Sequence, residues 1–432
     1  MQLIHWNRLT QDQQRAALRR PARDGAASVG AEAQLIIDEV RSGGDAALRR
    51  LSGRFDGVEL ERLEVGPAEF AAAEKALSVT EHAAIERAID TVRQFHAAQL
   101  APPIRIETAP GVLCERIQVP IRAVGLYVPA GSAPLPSSAI MLAVPAVLAG
   151  CPERILCTPP TRSGSANAAV LVAARKAGAQ RCFKVGGAQA VAAMAYGTQS
   201  IAKCDKIFGP GNAYVTAAKL LVAQDPDGAA ADLPAGVTEV MVIADETARA
   251  DFVASDLLAQ AEHSTDAQAI LLTTSSDLAA AVAGQIERQR AALKRTEVLD
   301  HSIKSIRLVV VDSLKSAFRI ANDYAPEHLL MELAEARAWL PAVSTAGAVF
   351  LGSWSPESMG DYCSGPNHTL PTYGYARAYS GLAVEDFQRR MSVQELSREG
   401  LKALGPTAQI LAGLEGLDAH AAAVTVRLEA MA

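Results

Sequence analysis

The 432-residue sequence predicts an α/β protein: two Rossmann-like parallel-sheet domains, incomplete in that neither carries G-x-G-x-x-G, with short helical N- and C-terminal extensions. Three observations carry that expectation. Hydrophobic residues make up 50% of the chain and aromatics only 5%, so the core is built from small and branched side chains, as strands covered by helices on both faces require. Short apolar runs ending in Gly or Pro alternate with helical stretches, the texture of βαβ units. The alternation occurs twice, on either side of the turn-forming Asp225-Pro226-Asp227-Gly228.

Taken in order, Gln11 to Arg20 reads as a short helical segment closed by Pro21. Ala26 to Leu51 reads as an amphipathic helix interrupted at Gly43-Gly44, with Asp45 suited to cap the next turn. Helical patterns run from Pro67 to Leu100 and stop at Pro102-Pro103. From Arg122, RAVGLYVP, ERILCTPP, RCFKVGGAQ and KCDKIFGPGN read as strands, each followed by a helical stretch. Beyond Gly228, TEVMVIAD, AQAILLTTS, RLVVVD and GAVFLG read as strands, with FVASDLLAQAEHS, SDLAAAVAGQIERQRAAL and LKSAFRIANDYA as the helices between them. Two α/β halves thus fill about Arg122 to Gly352. From Ala383 the remainder reads as helical, with a break at Gly405-Pro406, and is too short to hold a core of its own.

Charge and composition narrow the partners. The 41 Lys+Arg against 47 Asp+Glu give a net charge of −6, and no basic run alternates with aromatics, which argues against a nucleic-acid surface. The longest apolar stretch, Ala139 to Gly150, contains Pro145 and falls short of the ~20 residues a membrane span needs. The first twenty residues are polar, with no apolar h-region, so no signal peptide is expected. Six cysteines without a CxxC pair fit buried thiols in a reducing compartment. The expectation is a cytoplasmic protein with a small-molecule substrate and neither nucleic-acid nor membrane partners.

Several polar positions stand out. Gly209-Pro210-Gly211-Asn212 follows a strand and opens a helix, a turn suited to an anion, and Gly186-Gly187-Ala188-Gln189 is a second Gly-rich turn one unit earlier. Gln260 and His263 share a helix face, where two donors could begin a metal site. Glu327 and His328 place a carboxylate beside an imidazole, one able to activate water and the other to take a proton near neutrality. The segment Gly360 to Thr372 carries Asp361, Tyr362, Asn367 and His368 in a polar loop after a strand, where binding residues concentrate. Glu415 and His420 read as tail residues. No G-x-S-x-G and no convincing nucleophilic thiol is present, Cys363 being the one cysteine in a polar context. Spacing alone gives a ligand crevice with scattered donors and leaves the reaction open.

These segments, taken as a set, closely resemble the L-histidinol dehydrogenase family: VGLYVPAGSAPLPSSAIML, VGGAQAVAA, DKIFGPGNAYVTAAK, DGAAADLPAG, DFVASDLLAQAEH, PEHL, GAVFLGSWSPES, GDYCSGPNHTLPTYGYAR and DFQRRMSVQELS, in order over nearly the whole chain. The resemblance implies one Zn²⁺ per subunit, held by Gln260, His263, Asp361 and His420. It implies NAD contacts at Tyr127, Gln189 and Asn212, and a catalytic pair in Glu327 and His328. Substrate contacts would come from Thr238, Gln260, His263, His328, Asp361, Tyr362, His368, Glu415 and His420. It further implies a homodimer whose C-terminal tails cross, so that Glu415 and His420 complete the neighbour's site. The implied reaction is a four-electron oxidation of L-histidinol to L-histidine through bound L-histidinaldehyde with two NAD⁺, the last step of histidine biosynthesis. The division expected on this footing is residues 1–20 as an N-terminal helical extension, 21–126 with 238–382 as a large discontinuous α/β domain, 127–237 as a second α/β domain with the NAD turns, and 383–432 as a helical tail docked on the partner. At Thr238, where members commonly carry Ser, the hydroxyl is retained with an added methyl. The alternatives are a related zinc/NAD dehydrogenase acting on another small alcohol, a zinc hydrolase using Glu327, and a non-catalytic metal-binding scaffold.

Overall fold

The computed structural model describes residues 1–20, 26–130, 133–234 and 236–431. Its strands are β1 (Gln2–His5), β2 (Ile104–Ala109), β3 (Val112–Pro120), β4 (Ala123–Tyr127), β5 (Glu153–Thr158), β6 (Arg181–Lys184), β7 (Lys206–Phe208), β8 (Ala230–Ala231), β9 (Glu239–Ala244), β10 (Gln268–Thr273), β11 (Arg307–Val310), β12 (His328–Glu332), β13 (Ala348–Leu351) and β14 (Gln388–Leu396). They form a six-stranded sheet ordered β1-β11-β10-β9-β12-β13, a five-stranded sheet ordered β6-β5-β4-β7-β8, and a three-stranded sheet ordered β14-β3-β2. The first two are parallel throughout and the third is antiparallel. The expected α/β class with two parallel sheets is therefore present. Strands β4, β9, β10 and β12 are buried at every residue, because helices cover both faces, and so their sequences run apolar instead of alternating.

The N-terminal helices depart from the expected division. Helices Ala26–Phe55, Pro67–Ala76 and Val79–Ala97 pack on the five-stranded sheet and its helices, not on the larger one. Ile37, Val40, Leu48 and Leu51 share a core with Tyr127, Ile155, Phe183 and Val191, while Ile89 and Val92 join Val124, Leu126 and Val144. That sheet is apolar on both faces and needs this cover. Nor are residues 1–20 wholly helical: β1 extends the edge of the six-stranded sheet along β11, satisfying backbone groups β11 would otherwise expose, before the Thr10-capped helix Gln11–Ala17.

Two further readings are corrected at the C-terminus. Residues 388–396 form β14, paired with β3 over its full length, ahead of helices Arg398–Leu414 and Asp418–Glu429. Gly405-Pro406 does not break the first of these helices. Gly405 faces the second helix so closely that an added Cβ would lie 3.0 Å from Val424 Cγ1, so glycine there serves helix–helix approach. The interruption at Gly44 is present (φ 53°), but Asp45 accepts from Thr198 Oγ1 at 2.7 Å and from the Ser200 amide at 3.2 Å instead of capping its own turn. No helix among the described residues is long and apolar enough to cross a membrane.

The polar loop after β13 reaches from the six-stranded sheet to a helix of the five-stranded one. Helix Pro136–Leu148, which follows the carboxyl end of β4, touches that loop through Ser138 Oγ, 3.2 Å from His368 Nε2. Asn367 Nδ2 donates to the Met141 carbonyl of the same helix at 2.6 Å. Two non-glycine residues among those described take positive φ, Ala325 and Tyr373, both at 55°.

Gly209 marks a turn that tolerates no side chain, with φ at +121° and a position where Cβ would fall 2.1 Å from the Tyr127 carbonyl oxygen. Gly209→Ala is expected to lower stability in urea by about 1–3 kcal/mol from backbone strain alone. Gly284→Ala, inside helix Ser276–Arg290 with nothing near its Cβ, is expected to raise it by about 0.5–1 kcal/mol. Equal shifts for the two would contradict this description of the turn.

Candidate active site

The register of β12 on β9 pairs His328 with Val240, which sets Glu327 beside the Thr238–Glu239 peptide. Glu327 Oε2 accepts from the Glu239 amide at 2.8 Å and from Thr238 Oγ1 at 2.7 Å. Gln260, near the end of helix Ala250–Ala261, donates its amide Nε2 to the same Thr238 hydroxyl at 2.8 Å. His328 Nδ1 lies 3.1 Å from the Glu239 carbonyl oxygen, which can only accept, so Nδ1 carries a proton. One dipeptide therefore holds both members of the pair. Two buried atoms are left without a hydrogen-bond partner by this arrangement, Gln260 Oε1 and His328 Nε2.

A second group faces the first. Helix Glu357–Tyr362 brings Glu357 Oε1 to 3.5 Å from His328 Nδ1 and Asp361 Oδ1 to 3.7 Å from His328 Nε2. His263 Nε2 stands 4.0 Å from Asp361 Oδ2. Contacts thus run unbroken from Gln260 through Thr238, Glu327 and His328 to Asp361 and His263. Among the described residues, His263, Glu357 and Asp361 each offer a ligand atom within 4.8 Å of one another. Together with the orphaned Gln260 Oε1 and Glu357 Oε2, this mixed nitrogen and oxygen set fits a divalent cation such as Zn²⁺.

Burial and charge set the proton affinities. Burial pushes Glu327 up to about 7, against the opposing pull of His328 and its two donors. Burial pulls His328 down, but Glu357, Glu327 and Asp361 outweigh it and the ring rises to about 10. Burial raises Glu357, while in Asp361 the opposing histidines win and its carboxyl stays below the usual range. His263 keeps 44% of its side chain exposed at the mouth of the site, yet lost hydration still lowers its affinity for a proton. One turn before Gln260, burial and then Glu332 hold the Asp256 carboxyl at about 7.

The remaining expected positions divide. His368 adjoins the cluster, with Nδ1 2.8 Å from the Asp361 carbonyl and Nε2 on Ser138, so both ring nitrogens are occupied internally. Tyr362 lies at the rim and is 56% exposed. Tyr127, Gln189 and Asn212 occupy the carboxyl side of the five-stranded sheet. Tyr127 Oη accepts from the Gly187 amide at 3.0 Å, Gln189 is buried in helix Gly187–Tyr196, and Asn212 caps helix Ala213–Gln224 through the Tyr214 and Val215 amides at 3.1 Å. A cleft of about 200 Å³ opens there, lined by Gly209, Lys219, Asp232, Pro234 and Tyr379 among others. Glu415 and His420 are not brought to the cluster within one chain; both are exposed on the C-terminal helical pair.

Two features escape reasoning from sequence. Glu357 reads as an ordinary first-turn acid after Pro356, and only the fold turns it inward. The cluster also lies at the amino ends of β9 and β12, whereas open parallel sheets ordinarily bind ligands at their carboxyl ends. The glycine turns of the smaller sheet, by contrast, lie at the carboxyl ends of its strands.

Comparison with known proteins gives a consistent result. The sequence profile of the family described as histidinol dehydrogenase matches residues 18–428. A histidinol dehydrogenase of Xanthomonas oryzae pv. oryzae is 54% identical over 428 residues, covering 99% of each chain, and one of Vibrio parahaemolyticus is 49% identical over 429 residues, with the same coverage. The crystal structure of histidinol dehydrogenase from Elizabethkingia anophelis superposes with a TM-score of 0.94 at 41% identity, covering 100% of this chain and 98% of that one.

A pH dependence follows from Glu327. Its folded carboxyl binds a proton more tightly than an unfolded one, so this group's contribution to stability falls as pH rises from the ordinary range near 4.5 towards about 7. In metal-free protein, Glu327→Gln is expected to gain stability relative to the parent between pH 5 and pH 8, measured by urea denaturation. A relative loss over that interval would contradict the burial argument.

Proposed function

The chain belongs to the histidinol dehydrogenase family and is an oxidoreductase, and we propose that it oxidises L-histidinol to L-histidine through bound L-histidinaldehyde, using two NAD⁺ and one Zn²⁺, as the last step of histidine biosynthesis. The observation that carries this reading is a buried carboxylate–imidazole pair, with an unpartnered nitrogen, set against a cation-binding group.

Gln260, His263 and Asp361 would hold Zn²⁺ with His420 of a second subunit, and the ion would supply a Lewis acid that fixes the substrate's imidazole and amine. Tyr127, Gln189 and Asn212 would position NAD⁺, which supplies the hydride acceptor. The protein's own groups then divide the proton work. His328 takes the alcohol proton at Nε2, which makes no hydrogen bond within the protein and faces Asp361 at 3.7 Å, while Nδ1–H stays on the Glu239 carbonyl. The carboxylates around this ring hold a proton on it, and a dication held by Asp361 would weaken that grip and free the ring as a base. Glu327 draws a proton from the water that adds to the aldehyde, and an affinity near 7 suits a general base at neutral pH. Once His328 has passed its first proton to solvent, Nε2 accepts the proton of the hydrated aldehyde in the second oxidation.

Thr238 keeps its hydroxyl on Glu327 and Gln260 at once, which supports a role in aligning the base beside the substrate. Tyr362 and His368 would line the substrate side, and Glu415 of the crossed tail would face the substrate's nitrogens. Leu411, Leu414 and Leu417 on that tail are exposed, Leu414 by 80%, and this apolar stretch around Glu415 and His420 supports an isologous homodimer. All six cysteines are unpaired, which supports a reducing, cytoplasmic setting.

Single-turnover kinetics test the division of labour. His328→Asn is expected to slow both hydride transfers, whereas Glu327→Gln should preserve the first and slow the second by about 10²–10⁴-fold, the range for losing a general base. Equal losses in the two steps for Glu327→Gln would overturn it. Tail crossing is tested by mixing a chain truncated after Leu411 with full-length His328→Asn protein. Each is inactive alone, and mixed dimers are expected to regain activity; mixtures that stay inactive would contradict the exchange.

A further inference from the structure

We propose that Arg20, in the N-terminal segment, is a positioning residue for the Glu327–His328 pair, acting through Glu239 and the turn at Tyr324–Ala325. The guanidinium forks onto the Glu239 carboxylate, Nε on Oε1 and Nη2 2.9 Å from Oε2. Nη2 also donates to the carbonyls of Tyr324 at 2.9 Å and Ala325 at 3.3 Å, and the group stacks 3.8 Å over the Tyr324 ring. Glu239 is fully buried (0% exposed), and its own amide and carbonyl are the groups that hold Glu327 Oε2 and His328 Nδ1. Arg20 therefore secures the side chain of the residue whose backbone secures the pair.

The backbone conformation gives an independent reason. Ala325 is left-handed and immediately precedes Pro326-Glu327-His328, so its conformation sets the direction in which the pair enters β12. Tyr373, the other non-glycine residue of positive φ among those described, places its amide on the same Glu239 carboxylate. Both strained residues thus rest on the Arg20–Glu239 pair. Such conformations persist where their surroundings over-determine them, and they cluster at functional sites. Lysine has neither the planar fork nor the stacking face and cannot replace these contacts.

The inference rests on Glu327 and His328 being the reacting groups, and the test separates the two claims. In the zinc-loaded full-length enzyme, Arg20→Met strands a buried carboxylate and lowers stability, so it is compared with Arg20→Lys and with Arg20→Met/Glu239→Gln, in which that charge is removed. The double variant is expected to recover the parent's Tm and zinc content, to keep KM for NAD⁺ within twofold, and yet to show kcat at least tenfold lower. Arg20→Lys should also lose kcat at unchanged zinc content. A kcat that recovers together with Tm in the double variant, or a loss that follows zinc content, would overturn the positioning role. Full activity in Glu327→Gln would instead strike the assignment of the pair itself.

Discussion

Three carboxylates and an imidazole that water barely reaches share one corner of the molecule, and much of the surrounding structure serves to offset their charges. Glu327 and Glu357 are buried, Asp361 has only 16% of its side chain exposed, and His328 lies among them. Isolated charges in such a place would each cost several kcal/mol, so they must be paired, hydrogen-bonded or joined by a cation. Glu327 is met by a backbone amide and a hydroxyl, and His328 by a carbonyl and the acids around it. Glu357 and Gln260 keep oxygens with no protein partner. A divalent ion bound here would give both oxygens a partner and offset the carboxylate charge.

That requirement explains the placement of the site. Parallel strands fix register firmly when both faces are buried, so the β9–β12 pairing delivers Thr238, Glu239, Glu327 and His328 to one point. The helix between β9 and β10 ends at the same edge of the sheet and adds Gln260 and His263. The polar loop after β13 is anchored on helix Pro136–Leu148 of the smaller sheet, His368 on Ser138 and Asn367 on the Met141 carbonyl. Two sheets of similar architecture thus take different parts: one offers glycine turns at its carboxyl edge, the other a charged cluster at its amino edge.

The fold was largely legible in the sequence because its signals are local. Apolar runs closed by Gly or Pro and followed by helical patterns mark most strands of both sheets. What escaped has physical causes. The five residues of β12 follow a helix after only a short turn and carry the site's own polar residues at their head, so they resemble a loop. The strand β14 alternates poorly and is mostly exposed, and it is held by pairing with β3 and not by burial. The packing of residues 26–97 on the smaller sheet is a long-range choice that helical periodicity does not encode. In the site, Gln260, His263, Glu327, His328 and Asp361 stood out by residue type, whereas Glu357 and Arg20 are ordinary surface-looking charges until the fold buries them.

The central claim is that one buried pair, beside a cation, serves two successive oxidations without releasing the intermediate. Its most direct measurement is the yield of NADH from limiting L-histidinol, with zinc-loaded protein and excess NAD⁺. Two NADH are expected for each histidinol consumed, with histidine as product and no free aldehyde. One NADH with aldehyde accumulating, or none, would contradict it.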